Sequence, residues 1–347
     1  MPRLNPFAWG RTKLTKLWDA SIDGHVVSLV WSRSLGLIAA ASADGPITLI
    51  DANTGQPRLN LSGHGFGTSC IIWIDSPDAG EQLASAGQDG KVRLWDPTTG
   101  AQTREMPGGA AWVERIAWDP TSKLLASTAG KKLRLWNLAG EMVRDYPDHS
   151  STIADIQWHP KEPILASAGY GKLCLWNPAQ QTSVREYAWP GSMLAVAWSP
   201  DAKHIAAGGQ DCTVHFWVVE TGEDLQMSGY PTKVRELSWD ATGRWLATGG
   251  GEACCVWDFA GAGPAGTTPV QLEGHNQYIS CLAFQHQGTL LASGGEDGLV
   301  ALWQPSKGPA SHALAKHAAP ITQLAWSAED HRLAVGTAQG DVLLYAT

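Results

Sequence analysis

One segment of about 40 residues recurs along this chain, and it restricts the fold more than any other feature. Its clearest copy, Gly274–Gln304, alternates apolar residues through Ile279, Leu282 and Phe284. It then runs through Leu291-Ala292-Ser293, turns at Glu296-Asp297-Gly298 and closes on Leu302-Trp303. Period-two alternation between glycine-rich turns reads as short antiparallel strands. The last strand of each copy carries Ile50, Trp95, Trp136, Trp176, Trp217, Trp257, Trp303 or Tyr345, spaced 40 to 46 residues apart. The first strands carry a second series: Trp31, Trp73, Trp118, Trp158, Trp198, Trp239, Phe284 and Trp326. Eight units with this period predict an all-β fold, an eight-bladed β-propeller of four-stranded antiparallel blades, with seven blades as the alternative.

The two ends of the chain fit that ring. Residues 12–20 read like the outer strands that precede other units, whereas the final unit stops at its third strand. An N-terminal strand closing the last blade removes the seam that would otherwise expose unpaired backbone groups. The expected organisation is an extension over residues 1–11 and a single propeller over 12–347. Unit two has an insertion over Asp75–Glu81, and a Gly/Ala/Pro loop over Ala260–Thr267 separates units six and seven.

Composition narrows the class. A net charge of −8 runs against the basic excess of nucleic-acid binders, so no nucleic acid is expected. No apolar run is long enough for a signal peptide or a membrane helix, and the expectation is a monomeric ring in the cytoplasm. Cys70, Cys174, Cys212, Cys254, Cys255 and Cys281 fall on strands or their edges without a C-x-x-C pair, as expected of free thiols in a reducing compartment. Phosphate loops, zinc spacings and nucleophile elbows are missing, so no cofactor, metal or catalytic residue is assigned.

Leu94-Trp95-Asp96, Val256-Trp257-Asp258, Leu135-Trp136-Asn137 and Leu175-Trp176-Asn177, together with Gly63-His64 and Gly274-His275, resemble the signature of the WD-repeat family. The resemblance covers residues 12–347, and the short loops look like those of a stand-alone bacterial member. It implies a hydrogen-bonded tetrad of His, Ser or Thr, Asp and Trp within a blade. The full set occurs as His64, Ser85, Asp89, Trp95 and as His275, Ser293, Asp297, Trp303. Elsewhere the His position holds Ile22, Gly109, His149, Trp189, Tyr230 or His317. A buried carboxylate needs donors, so the tetrads read as structural.

A second resemblance is narrower. Asp51–Gly55 and Asp96–Gly100 are similar to the tryptophan-docked repeats of eight-bladed quinoprotein dehydrogenases, and Cys254-Cys255 to their vicinal cysteines. Hairpin chemistry accounts for the former, and opposite-facing side chains in a strand for the latter. A channel-centred enzyme of quinoprotein or hydrolase type is therefore the alternative to the main reading, a non-catalytic scaffold that binds a peptide or partner protein.

The expected docking surface is the top face. The residues six before each first-strand aromatic are His25, Gly67, Trp112, Thr152, Ser192, Lys233, Tyr278 and Pro320. Trp112 and Tyr278 have no repeat-wide reason to be aromatic, and with Trp189 and Tyr170 they read as interface anchors. Trp112 and Trp189 could equally fill space left by missing tetrad histidines. Lys233 and Arg235 add positive charge for an acidic partner group. Lys91, Arg93, Lys131, Lys132, Arg134 and Lys172 cluster on one arc, opposite Glu236, Glu252, Glu296 and Asp341. That asymmetry is either a solvated face or a field that orients a charged partner.

Overall fold

A computed structural model describes residues 12–76, 80–261 and 263–347. The expected N-terminal extension, residues 1–11, lies outside the described residues. Unit two shows how each repeat is built. Thr68–Ser76, Gly80–Gly87, Lys91–Trp95 and Gln102–Pro107 pair in sequence as an antiparallel meander. The second strands, such as Leu37–Ser42 and Leu124–Ala129, are almost wholly buried. Sheets cover them on both sides, which is why they read LIAAAS and LLASTA instead of alternating.

The core is distributed around the ring. Eight apolar clusters each lie between two consecutive units, for example Ile47, Leu49 and Leu61 of unit one against Ile71 and Leu83 of unit two. Another joins Val26 and Ile38 of unit one to Ala334, Val342 and Leu344 of the last. Burying one such aliphatic side chain is worth about 1.5–3 kcal/mol. The stabilisation is shared between neighbours, so an isolated unit has no core of its own.

Counted as hydrogen-bonded sheets, the fold has seven, which corrects the expectation of eight separate ones and agrees with the alternative. The physical reason lies where units four and five meet. Leu165–Trp176 and Ser183–Trp198 run without a break, and Tyr170 pairs with Ser192 across them, so two repeats share one six-stranded sheet. The first strands of all eight repeats still touch in turn, and that of unit seven (Ile279–Phe284) meets Ile321–Trp326, which meets Val26–Trp31 of unit one.

Thr15–Ser21 pairs antiparallel with Asp341–Ala346 and supplies the outer strand of the last unit. The sequence did not suggest that Thr12–Lys13 would pair in parallel with Ser311–Lys316 of unit seven. Leu14, between these two pairings, is buried in the cluster of units seven and eight. Trp18 then donates from its indole N–H to Ala52 O at 3.1 Å. Gly55, at φ 73°, leaves room for that ring, since a Cβ there would stand 2.8 Å from it. The Asp51–Gly55 turn thus does receive a tryptophan, at the seam of the ring. Within the turn Asp51 accepts from the N–H groups of Asn53 and Thr54, the ordinary chemistry of an Asx turn.

All six cysteines are free. Cys212 lies at a strand edge, two residues before Val214–Val218, at φ 63°.

Candidate partner-binding face

The loop before each first strand and the turn between the second and third strands lie at the same end of each meander. Backbone bonds tie them together: Gln88 N–H donates to Gly67 O, Gln210 N–H to Ser192 O and Glu296 N–H to Tyr278 O, each at 2.9 Å. This end carries the tetrads. His64 Nδ1 lies 2.8 Å from Asp89 Oδ1, His64 Nε2 lies 2.7 Å from Ser85 Oγ, and Trp95 Nε1–H donates to Ser85 Oγ at 2.8 Å. In unit seven the corresponding distances for His275, Asp297, Ser293 and Trp303 are 3.1, 2.7 and 2.8 Å. The linkage requires His Nδ1–H donating to carboxylate, Ser O–H to Nε2, and Trp N–H to the Ser oxygen. Burial pulls both imidazoles below their usual value, against the opposing effect of the aspartates. Burial would raise Asp89 and Asp297, but their hydrogen bonds outweigh it and hold both carboxyls low.

Units without the full set solve the same problem differently. In unit six the Tyr230 hydroxyl joins Thr248 Oγ1 and Trp257 Nε1–H, both at 2.9 Å. In unit eight His317 Nε2 meets the Tyr345 hydroxyl at 2.9 Å. In unit three the Arg134 guanidinium stands where a side chain on Gly109 would be. Unit four keeps His149 Nε2 at 2.9 Å from Ser167 Oγ, with Trp176 donating to the same oxygen, but has no aspartate. Its His149 Nδ1 is buried without a partner.

The proposed anchors separate into two groups. Trp112, Tyr170 and Tyr278 are exposed on this face, at 56%, 60% and 49%. Trp189 is not an exposed anchor: its ring lies against His215 with centroids 3.4 Å apart, within the apolar cluster of units four and five. It stands at the sequence position of the tetrad histidine and packs in the cluster that also holds Trp217. Lys233 and Arg235 are exposed, and Arg235 lies near the half-buried Glu236, whose carboxyl burial pushes up. Sequence reasoning missed Phe66, which is 87% exposed at φ 67° between Gly65 and Gly67. A left-handed backbone costs a residue with a Cβ about 1–3 kcal/mol and is concentrated at functional positions. A phenylalanine in a glycine-flanked loop, outside the strand alternation, was the available signal.

The basic arc is neutralised locally. Lys91 pairs with Glu105, Arg93 with Asp89 and Glu105, Lys132 with Asp148, Arg134 with Asp145, and Lys172 with Glu186. Among the described cations of this arc only Lys131 has no such pair, so the arc is not a long-range field for an acidic partner. Around the channel, polar side chains of the first strands stitch neighbouring units together. Asp155 accepts from Val196 N–H and Arg115, Gln157 from Trp198 N–H, and Ser238 Oγ from Phe284 N–H.

The family model for "WD domain, G-beta repeat" matches residues 55–96, 100–137, 140–177, 182–218, 224–258 and 266–304. The chain therefore belongs to the WD-repeat family, and its fold is an all-β propeller of four-stranded antiparallel blades. Among its relatives, Nuclear distribution protein PAC1 of Arthroderma otae is 25% identical over 85% of this chain and 65% of its own length. Cell division cycle 20.1, cofactor of APC complex, of Arabidopsis thaliana is 29% identical over 44% of this chain and 34% of its own. Serine-threonine kinase receptor-associated protein of Gallus gallus is 22% identical over 94% and 80%. These relatives are eukaryotic and lend no support to a bacterial origin. The chain spans less than two thirds of the PAC1 relatives it matches. The crystal structure of the computationally designed Ika8 protein shares the fold, with a TM-score of 0.83 at 22% identity over 96% of this chain and 100% of that one. No helix among the described residues is long and apolar enough to cross a membrane.

Proposed function

We propose that this chain is a non-catalytic scaffold whose top face docks a peptide or partner protein. The observation that carries this reading is the distribution of exposed aromatic rings. Phe66, Trp112, Tyr170 and Tyr278 are the strongly exposed aromatics among the described residues, and all four stand on the face of the tetrads. Exposed aliphatics such as Leu17, Met142 and Val184 lie on outer strands instead. Large rings with little rotamer freedom are the residues that dominate interface energetics. The names of two relatives, a cofactor of a complex and a receptor-associated protein, point the same way. The scaffold is a single ring of eight repeats over residues 12–347, two of them sharing one sheet, and it works in the cytoplasm. Lys233 and Arg235 border the docking face and favour acidic groups at its edge.

The test is a double substitution, Trp112→Ala with Tyr278→Ala, compared with the wild type in affinity capture from the native host. Loss of a specifically co-purifying protein at an unchanged melting temperature supports the reading. A collapse of stability without any binding-specific defect overturns it.

A further inference from the structure

Units two, three and four share a motif on the rim of the top face. On the third strand, the residue two before the Trp pairs across to an acidic residue of the outer strand: Arg93 with Glu105, Arg134 with Asp145, and Cys174 with Glu186. Of the other repeats only unit eight holds an acid at that place, Asp19 facing Leu343 and pairing with Lys16 of its own strand; elsewhere Thr48 faces Asn60, His215 faces Gln226, Cys255 faces Gln271 and Ala301 faces Leu314. In unit two the Arg93 guanidinium donates to Glu105 at 3.0 Å and to Gly63 O at 2.6 Å, and it lies 2.9 Å from Asp89. In unit three Arg134 donates to Asp145 at 3.1 Å and to Pro107 O at 2.9 Å. Unit four keeps the acid and lacks the cation.

A cavity of about 220 Å3 opens where that cation would stand. It is smaller than the roughly 300–1,000 Å3 of a site for a whole small ligand, and suits one side chain. Its walls include Cys174, Glu186, His149, Trp176 and Ser150. Glu186 holds Lys172 at 2.7 Å and Ser183 at 2.8 Å, all through Oε1. Lysine does not exclude a guanidinium there, because Glu105 holds Lys91 and Arg93 together. His149 Nδ1, unpaired and buried at the cavity wall, can accept an N–H in its Nε2–H tautomer. Burial and the neighbouring Lys172 pull His149 down to about 4, so the ring is neutral and does not repel a cation at neutral pH. Trp176, packed against Tyr146 and His149, closes the apolar side of the cavity.

We propose that this cavity is a guanidinium pocket, filled by an arginine side chain of the docked partner in place of the arginine that units two and three supply from their own chain. The inference rests on the reading of the chain as a protein-binding scaffold. Its test uses the intact protein with labelled histidines, following the imidazole signals by NMR as Nα-acetyl-arginine amide is added. The His149 signal, assigned through His149→Gln, should shift saturably. Acetyl-citrulline amide, uncharged but of similar shape, should bind about tenfold or more weakly, and Glu186→Gln should weaken the arginine probe by a similar factor. Cys174→Arg, which fills the cavity from within, should abolish the shift while the protein remains folded. No saturable shift, an equal shift with citrulline, or a shift that survives Cys174→Arg overturns the pocket. Any of those results leaves the capture experiment with Trp112 and Tyr278 untouched, so the two failures can be told apart.

Discussion

Unit two and unit eight occupy equivalent places in the ring but are held together by different means. Unit two takes all four strands from one continuous stretch and locks them with His64, Ser85, Asp89 and Trp95, to which Arg93 adds Gly63 O and Glu105. In unit eight the tetrad is reduced to the contact of His317 with Tyr345, beside a turn in which Thr337 bonds Asp341, and its outer strand comes from the other end of the chain. One blade is fastened by local polar chemistry and the other by closure of the ring. A repeat can lose its tetrad when its neighbours and the seam hold it in place.

The largest effect should come from breaking the seam. Deleting residues 1–20 strips unit eight of most of its outer strand and removes Leu14 and Trp18. Burial of Leu14 alone is worth about 1.5–3 kcal/mol, and the bared strand edge should drive aggregation. A truncated protein that stays monomeric with the wild-type melting temperature would show that closure contributes nothing.

Acid should come next, because it acts on both units. His64, His275 and His317 are all held below the ordinary 6.5 by burial, and His149 falls to about 4. The unfolded chain takes up these protons first, so stability is full above about pH 6.5 and is lost as the pH falls below it. Asp89 and Asp297, held below 3.8, extend the loss in stronger acid. Thermal melts should be level from pH 8 to about 6.5 and fall from there to pH 4.5; a flat profile across the whole range would mean that the histidines titrate without cost.

Within the locked units, Asp89→Ala or Asp297→Ala should each cost about 1–3 kcal/mol, since a buried histidine loses its acceptor. Denaturant titration would measure this, and wild-type midpoints for both would mark the tetrads as solvated ornaments. In unit eight Tyr345→Phe removes one hydrogen bond and should cost only about 0.5–1.5 kcal/mol. A larger loss than at Asp297 would reverse the comparison.

Much of this was legible in the chain. The third-strand Trp series gave the register, and His64, Ser85 and Asp89 could be placed in one network because each lies at a fixed offset within a repeat. Trp112 and Tyr278 stood out because several equivalent positions in other repeats are small or polar. Trp189 was ambiguous for a physical reason. Whether an indole at a vacated histidine position points to solvent or inward depends on its neighbour, and His215 on the third strand of unit five draws it in. Phe66 was hidden because its exposure follows from a positive φ that the flanking glycines only hint at. The basic residues of units two to four looked like a field until their acids, some 11 to 16 positions away, were seen to pair across the strands.

The sequence by itself determined the strands, their order and the tetrads, because side-chain alternation and hairpin pairing are local and repeat within about 40 residues. Only the tertiary structure decided what depends on closing the ring. Trp18 reaches Ala52, Trp31 donates to Ala325 O at 2.9 Å across 294 positions, and Thr12–Lys13 finds the outer strand of unit seven. The fusion of units four and five and the cavity beside Glu186 belong to the same class. Each is set by which side chains neighbouring sheets bring into contact, and that is fixed by packing between repeats, not by the pattern inside one.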